Sequence, residues 1–245
     1  MTLSRWLRGA ALLGAVLALP AQVRAQVFSD GTMNTWNSTV VINPYGCSSG
    51  GSFWASAGGK LNPIIDPYLG VWNYDCGTLV GVGHLSSFTW NPFSQGAITS
   101  PITFKWDGIH YSGGQMAFEA LLRQGGKWYM APVTYSLATT GNGWEALGGT
   151  AAANQWCEVF AGFGPPNGYA CGSSLPDFTA SGGTIEFGVM ALNSGSYSRQ
   201  GGIDNYEVDF VHGPGSTVAP EPASIFLVAS GLAGVAFVGR RRRSS

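Results

Sequence analysis

Glu207 and Asp209 form the most closely spaced carboxylate pair that a strand would set on one face, in the stretch NYEVDFV. Residues i and i+2 of a strand lie about 7 Å apart, and glycosidases work with two carboxylates about 5–10 Å apart. The spacing therefore admits hydrolysis of a glycosidic bond. The same alternation carries a plainer reading: Tyr206, Val208 and Phe210 face a core and the two acids meet water. Glu119, Glu158 and Glu186 occur singly, and no GxSxG turn is present to hold a strained serine nucleophile. His84, His110 and His212 do not sit at a ligand spacing, and there is no CxxC, so zinc chemistry has no framework. What remains is recognition. Trp72, Tyr74, Trp90 and Trp144 stand beside turn or polar residues. Exposed rings of this kind stack on pyranose faces, while Asn, Asp and Gln edges bond the sugar hydroxyls. Core packing is the competing reading for each tryptophan.

The elements that must position these residues show a period of two. PITFKW places Ile102, Phe104 and Trp106 on one face. GQMAFEALLR places Met116, Phe118, Ala120 and Leu122 together, with Glu119 and Arg123 opposite. GGTIEFGVMAL groups Ile185, Phe187, Val189 and Ala191. STVVIN, SSFTW, KWYMAPVTY and QWCEVF add further short strands, and GSFWASAGG, TTGNGW, GFGPPNGY and NSGSYSRQGG supply turns between them. Met116–Arg123 also contains good helix formers, but its surroundings favour a strand. Many short strands with Gly- and Asn-rich turns predict an all-β fold, a β-sandwich of jelly-roll-like form. Trp36, Trp54, Trp72 and Trp90 recur every 18 residues, yet their flanks do not agree, so no internal repeat is inferred.

Charge narrows the partners. Between residues 26 and 219 there are five basic side chains and 12 acidic ones, a net charge of −7. The whole-chain value of −1 hides this, because seven arginines lie in the two ends. An acidic body repels phosphate backbones, which excludes nucleic acid as a partner. It is compatible with calcium and with neutral sugars. The four cysteines, Cys47, Cys76, Cys157 and Cys171, suit two disulfides in an exported chain. Three pairings are possible; Cys47–Cys76 and Cys157–Cys171 are favoured, being local in sequence and flanked by Gly-rich loops.

Both ends read as addresses. MTLSRWLR, then the apolar GAALLGAVLALP, then Val23-Arg24-Ala25, make a secretory signal peptide with cleavage between Ala25 and Gln26. At the other end, Ala223 to Gly239 runs 17 residues without a charge. As a helix it reaches about 26 Å, enough to span a bilayer that thins slightly. Arg240, Arg241, Arg242 and Arg243 hold the terminus on the cytoplasmic side. Pro220 and Pro222 keep the chain just before it extended.

Pro220-Glu221-Pro222, the short apolar run and the arginine cluster together resemble the PEP-CTERM sorting signal of Gram-negative bacteria. The resemblance implies a precursor tethered transiently in the inner membrane. It implies cleavage near the motif by exosortase, an integral-membrane protease, and delivery beyond that membrane, often in strains that make exopolysaccharide. More loosely, FSDGTMNTWNS and GGIDNYEVDF resemble the first and last strands of jelly rolls related to carbohydrate-binding and laminin-G-like modules. Similarity to such modules implies a structural Ca²⁺ tying first strand to last, with Asp30 and Asp204 as its carboxylates. The competing reading makes both aspartates turn residues.

The expected organisation is a signal peptide at residues 1–25, an extracellular β-sandwich at 26–217 and a sorting signal at 218–243 with a single transmembrane helix. The expected role is non-catalytic: an exported, exosortase-processed surface or extracellular-matrix component associated with exopolysaccharide, meeting signal peptidase and exosortase on its way. A calcium-dependent glycan-binding module and a polysaccharide-active glycoside hydrolase are the alternatives.

Overall fold

The computed structural model describes residues 23–34, 36, 38–42, 49–64, 66–74, 80–112, 115–139, 143–159, 172, 174–193 and 199–215. Within them two six-stranded antiparallel sheets face each other. The first is built from β3 (Ser49–Ala55), β4 (Tyr68–Tyr74), β12 (Arg199–His212), β6 (Ile102–Ser112) and β9 (Glu145–Ala151), in that order, with β1 (Arg24–Asp30) also on β12. The second runs β10 (Cys157–Val159), β8 (Lys127–Thr139), β7 (Gln115–Gln124), β11 (Ile185–Asn193), β5 (Val80–Trp90) and β2 (Ser38–Ile42). One short helix, α1 (Pro92–Gln95), follows β5, and Asn91 caps it by accepting from the backbone of Phe93 and Ser94.

The expected inward residues form the core between the sheets. Ile102, Phe104, Trp106, Met116, Phe118, Ala120, Leu122, Ile185, Phe187, Val189, Ala191, Tyr206, Val208 and Phe210 all belong to it. The ambiguous segment at Met116–Arg123 is strand β7. β12 is a central strand, paired with β6 on one side and with β4 and β1 on the other. One feature departs from the sequence pattern: the far face of the second sheet is not polar. Leu85, Ala117, Leu121, Met130, Val159, Met190 and Leu192 form a second buried cluster there, with Trp128 against it.

The first and last strands pair, as the jelly-roll resemblance implies: Arg24 lies opposite His212 and Asp30 opposite Tyr206. β4 takes the other half of the same β12 edge, from Arg199 to Ile203. The seam between β1 and β4 falls at Asp204–Asn205. There the ladder to β6 shifts register between Asp204 and Glu207, and Asn205 adopts φ 49°. This is a bulge, which locally re-aims side chains in a strand.

Candidate functional site

Alternation along β4 sends Leu69 and Val71 into the core, leaving Tyr68, Gly70 and Trp72 on the outer face of the first sheet. Gly70 lies opposite Phe53 of β3, and Gly202, opposite Gly70, pairs onward with Ile109 of β6. The two glycines are a floor. A Cβ at Gly70 would stand 2.2 Å from the Phe53 ring, and one at Gly202 would stand 2.7 Å from the Tyr68 ring. Their absent side chains let both rings lie down on the sheet.

Four aromatic rings gather there. Tyr68 is the hub, with centroids 6.5 Å from Phe53, 6.1 Å from Tyr111 and 5.5 Å edge-on from Trp144. Tyr68 itself is nearly buried, whereas Phe53 and Tyr111 are 44% and 43% exposed. Burial, and then its hydrogen bond to Tyr68, push the Tyr111 hydroxyl well above the ordinary tyrosine range. It therefore stays a neutral donor and acceptor at any physiological pH. Trp144 is half-buried and its Nε1 donates to the carbonyl of Gly58, 3.1 Å away. That bond ties the ring to the 56–66 loop, which walls the face on one side.

The loop is clasped by carboxylates at the β12 bulge. Asp204 Oδ2 accepts from the backbone N–H of Lys60 at 2.8 Å, and its Oδ1 accepts from the N–H of Asn205 at 2.7 Å. Asp66 Oδ2 accepts from the N–H of Leu61 at 2.7 Å. The Lys60 ammonium reaches Asp107 Oδ1 at 2.5 Å, and Asn205 Nδ2 donates to Asp107 Oδ2 at 2.9 Å. Burial raises Asp204 to about 6; the Lys60 and Asn205 N–H bonds oppose this, and repulsion from Asp66 and Asp107 adds to it. Beyond the clasp the face continues as an open groove of about 540 Å³ between β6, β9 and β12. Its lining mixes apolar surface from Ala146 and Leu147 with Lys105, ion-paired to Glu207 at 2.5 Å, and Thr103, which shares a 3.0 Å hydrogen bond with Thr150. One face thus carries rings on one half and hydrogen-bonding groups on the other.

The structure sorts the sequence candidates. Trp144 belongs to the ring cluster, and Trp72 lies half-buried on the same outer face. Tyr74 ends β4, but its side chain lies outside the described residues. Trp90 corrects the expectation of an exposed ring: it is 3% exposed, packs edge-on to Phe210 and donates to the carbonyl of Gly96 at 2.8 Å. Its turn neighbours are those of α1, which begins two residues later, while Trp90 itself points inward. Nothing local in the sequence distinguishes Phe53, Tyr68 and Tyr111, since the glycines beneath the rings lie on neighbouring strands.

Asp30 and Asp204 both accept backbone N–H bonds. Asp30 Oδ1 accepts from the N–H groups of Thr32 and Met33, both at 2.9 Å, and Oδ2 accepts from Trp36 Nε1 at 3.1 Å. Both oxygens of Asp204 accept from N–H groups as well. Among the described residues no group of three or more His, Cys, Asp or Glu suits a metal. Glu207 is committed to Lys105, and Asp209 stands opposite Thr103. Cys157 is buried and disulfide-bonded. Cys47, Cys76 and Cys171 lie outside the described residues, as do Pro220, Glu221, Pro222 and the arginines from 240 to 243. Among the described residues no helix is long and apolar enough to cross a membrane.

Residues 218–243 match the PEP-CTERM protein-sorting motif. The motif implies export by way of a membrane-anchored precursor. No curated protein matches the chain. Among solved structures, a family 11 carbohydrate-binding module from Clostridium thermocellum in complex with a β-1,3-1,4-mixed-linked tetrasaccharide is similar over 79% of this chain and 98% of its own, at 9% identity and a TM-score of 0.42. The family 11 module of a cellulosomal cellulase from the same organism covers 81% and 99% at 10% identity, TM-score 0.43. A carbohydrate-binding module described for specific mannan recognition covers 78% and 99% at 12% identity, TM-score 0.41. Scores of this size concern the sandwich architecture and carry no argument about a ligand.

Proposed function

We propose that this chain is an exported, non-catalytic surface or matrix protein that holds neutral extracellular polysaccharide on the outer face of its first sheet. The observation that carries the reading is the ring cluster of Phe53, Tyr68, Tyr111 and Trp144, laid over the Gly70–Gly202 floor beside the open groove. Two of those rings keep about two-fifths of their surface open to solvent in the folded chain. Flat, partly open rings stack on the apolar faces of sugars, and fixed hydrogen-bonding groups alongside read hydroxyls. The charges in the groove are paired as Lys60–Asp107 and Lys105–Glu207, which suits an uncharged polymer better than an ionic one.

In this reading signal peptidase cuts after Ala25 and exosortase removes the tail at the sorting motif. The apolar run from Ala223 to Gly239 serves as the temporary anchor. Cys157 pairs with Cys171. The next residues along, Glu158 and Gly172, form a β-bridge with a 3.2 Å backbone hydrogen bond, which supports that pairing.

Hydrolysis has one observation in its favour. Asp107 and Asp204 stand directly opposite across β6 and β12, and the raised Asp204 resembles the acid of a glycosidase pair. Both are nearly inaccessible, at 8% and 0% exposure, beneath the Gly59–Leu61 backbone. The pair serves as a clasp for the loop. Isothermal titration of the exported protein with soluble neutral polysaccharides, with an assay for reducing ends on the same mixtures, tests both readings. Saturable binding with no new reducing ends is the expected result; release of reducing ends would replace binding with hydrolysis.

A further inference from the structure

One end of the sandwich gathers both chain ends. Arg24 lies opposite His212, so the segments leading to the amino-terminal apolar run and to the sorting motif leave from adjacent strands. α1 packs on the outgoing chain: the Gly213 N–H donates to the Ala97 carbonyl at 2.8 Å, and a Cβ at Gly215 would meet the Ser94 carbonyl oxygen at 2.2 Å. The 174–179 segment closes the same end, with the Ile98 N–H donating to Phe178 at 2.9 Å.

This end carries an apolar patch bordered by charge: exposed Arg24 lies opposite His212, and Lys127, ion-paired to Glu158 at 3.0 Å, donates to the Ser174 hydroxyl. Phe93 is 63% exposed and Leu175 51% exposed. Leu175 rims a cavity of about 480 Å³ shared with Ala97, Ile98, Pro176 and Phe178. Across residues 92–99, 153–154, 174–179 and 213–215 the one charged side chain is Asp177. Its carboxylate is satisfied by Thr179 and Ser181 and held below the usual range, chiefly by the Thr179 hydroxyl. The outer face of the first sheet, by contrast, carries the whole Lys60, Asp66, Asp107, Asp204, Lys105 and Glu207 set.

We propose that in the membrane-anchored precursor this end of the sandwich rests on the bilayer surface, with Phe93 and Leu175 in the lipid interface. The proposal depends on the reading of residues 223–239 as the membrane anchor. From Gly215 to Ala223 the chain spans no more than about 29 Å when fully extended. β12 alone, with 14 residues, is longer, at about 46 Å. The leash is therefore shorter than the body, and it keeps the end that bears it within about 29 Å of the membrane. Aromatic and aliphatic side chains standing out beside the basic groups of Arg24 and Lys127 suit the interfacial zone. The polysaccharide face then stands upright, with its ring half away from the membrane. Phe53 on β3, Tyr68 on β4, Tyr111 on β6 and Trp144 just before β9 gather over the Gly202 half of β12, opposite to the His212 exit. The precursor can meet polymer before it is released.

Photocrosslinking of the full-length precursor in its native membrane tests this, with p-benzoylphenylalanine placed singly at 93, 175, 53 or 231. Phospholipid adducts at 93, 175 and 231 but not at 53 are expected. Adducts at 231 alone would overturn the proposal while leaving the anchor intact, and so would adducts at 93 and 175 to a protein and not to lipid. Absence of lipid adducts at 231 would overturn the anchor reading and the proposal with it.

Discussion

At the scale of single residues, Asp204 gives the sharpest test of the clasp. Its pKa in the folded chain is about 6, against an ordinary value of 3.8. A folded acid that binds its proton more tightly than the unfolded one adds stability below the lower value. That contribution is lost as pH rises through the higher one. Asp204→Asn removes the titration. Its melting temperature should rise relative to that of the unaltered protein between about pH 4 and about pH 7, and parallel curves would show that the carboxyl is not buried as described. Tyr111, 43% exposed at the edge of the ring cluster, can be removed with little structural cost. Tyr111→Ala should weaken polysaccharide binding about three- to tenfold, from roughly 0.5–1.5 kcal/mol of ring contact, with the melting temperature nearly unchanged. Titration calorimetry beside thermal melting separates the two effects. The sequence made Trp144 and Trp72 visible as candidates because they neighbour polar residues. It made Trp90 visible for the same reason, misleadingly, since the adjacent polar residues belong to a helix cap. Asp107 was invisible, because its partners Lys60 and Asn205 are 47 and 98 residues away.

At the scale of elements, period-two patterns revealed the strands and their inward faces, because the pleat translates alternation directly into burial. They did not reveal the ring platform. That depends on Gly70 and Gly202 lying side by side, and register between β4 and β12 is a long-range property. Nor did they reveal the second apolar cluster, since Glu119 and Arg123 on β7 made that face look wet while Leu121 and Met190 shared it. The platform makes its own prediction. Gly202→Ala places a methyl 2.7 Å from the Tyr68 ring and 3.2 Å from Ile109 Cγ2, with no room between strands. It should cost about 1–3 kcal/mol of stability and also abolish polysaccharide binding, because Tyr68 supports the other rings. Thermal melting and calorimetry on the same variant check this; unchanged binding would remove the rings from the site. The disulfide at Cys157 belongs to this scale too. If it closes the loop to Cys171, reduction should cost about 3 kcal/mol, and non-reducing peptide mapping should recover the two cysteines in one fragment.

For the whole molecule, the carboxyl-terminal address was the most legible part of the chain. A sorting signal is read as a linear string, so its three parts survive without any fold, and residues 218–243 match the motif as a unit. The proposed polysaccharide face is the opposite case, since four rings from distant parts of the chain come together only in the fold. Pairing of the first and last strands joins the two, since the strand that leads to the sorting motif is also the one that carries the Gly202 floor. Replacing Pro220 and Pro222 with alanine should leave the precursor uncut in the membrane fraction, visible as a larger species on immunoblots.

The account stands on the ring-bearing face of the first sheet. Titration calorimetry of the exported protein against neutral extracellular polysaccharide, run in parallel with a Phe53→Ala/Tyr111→Ala double variant, tests it most directly. Saturable binding that the double variant lacks, with both proteins melting at similar temperatures, is the predicted result. Equal binding by the two proteins would contradict the account.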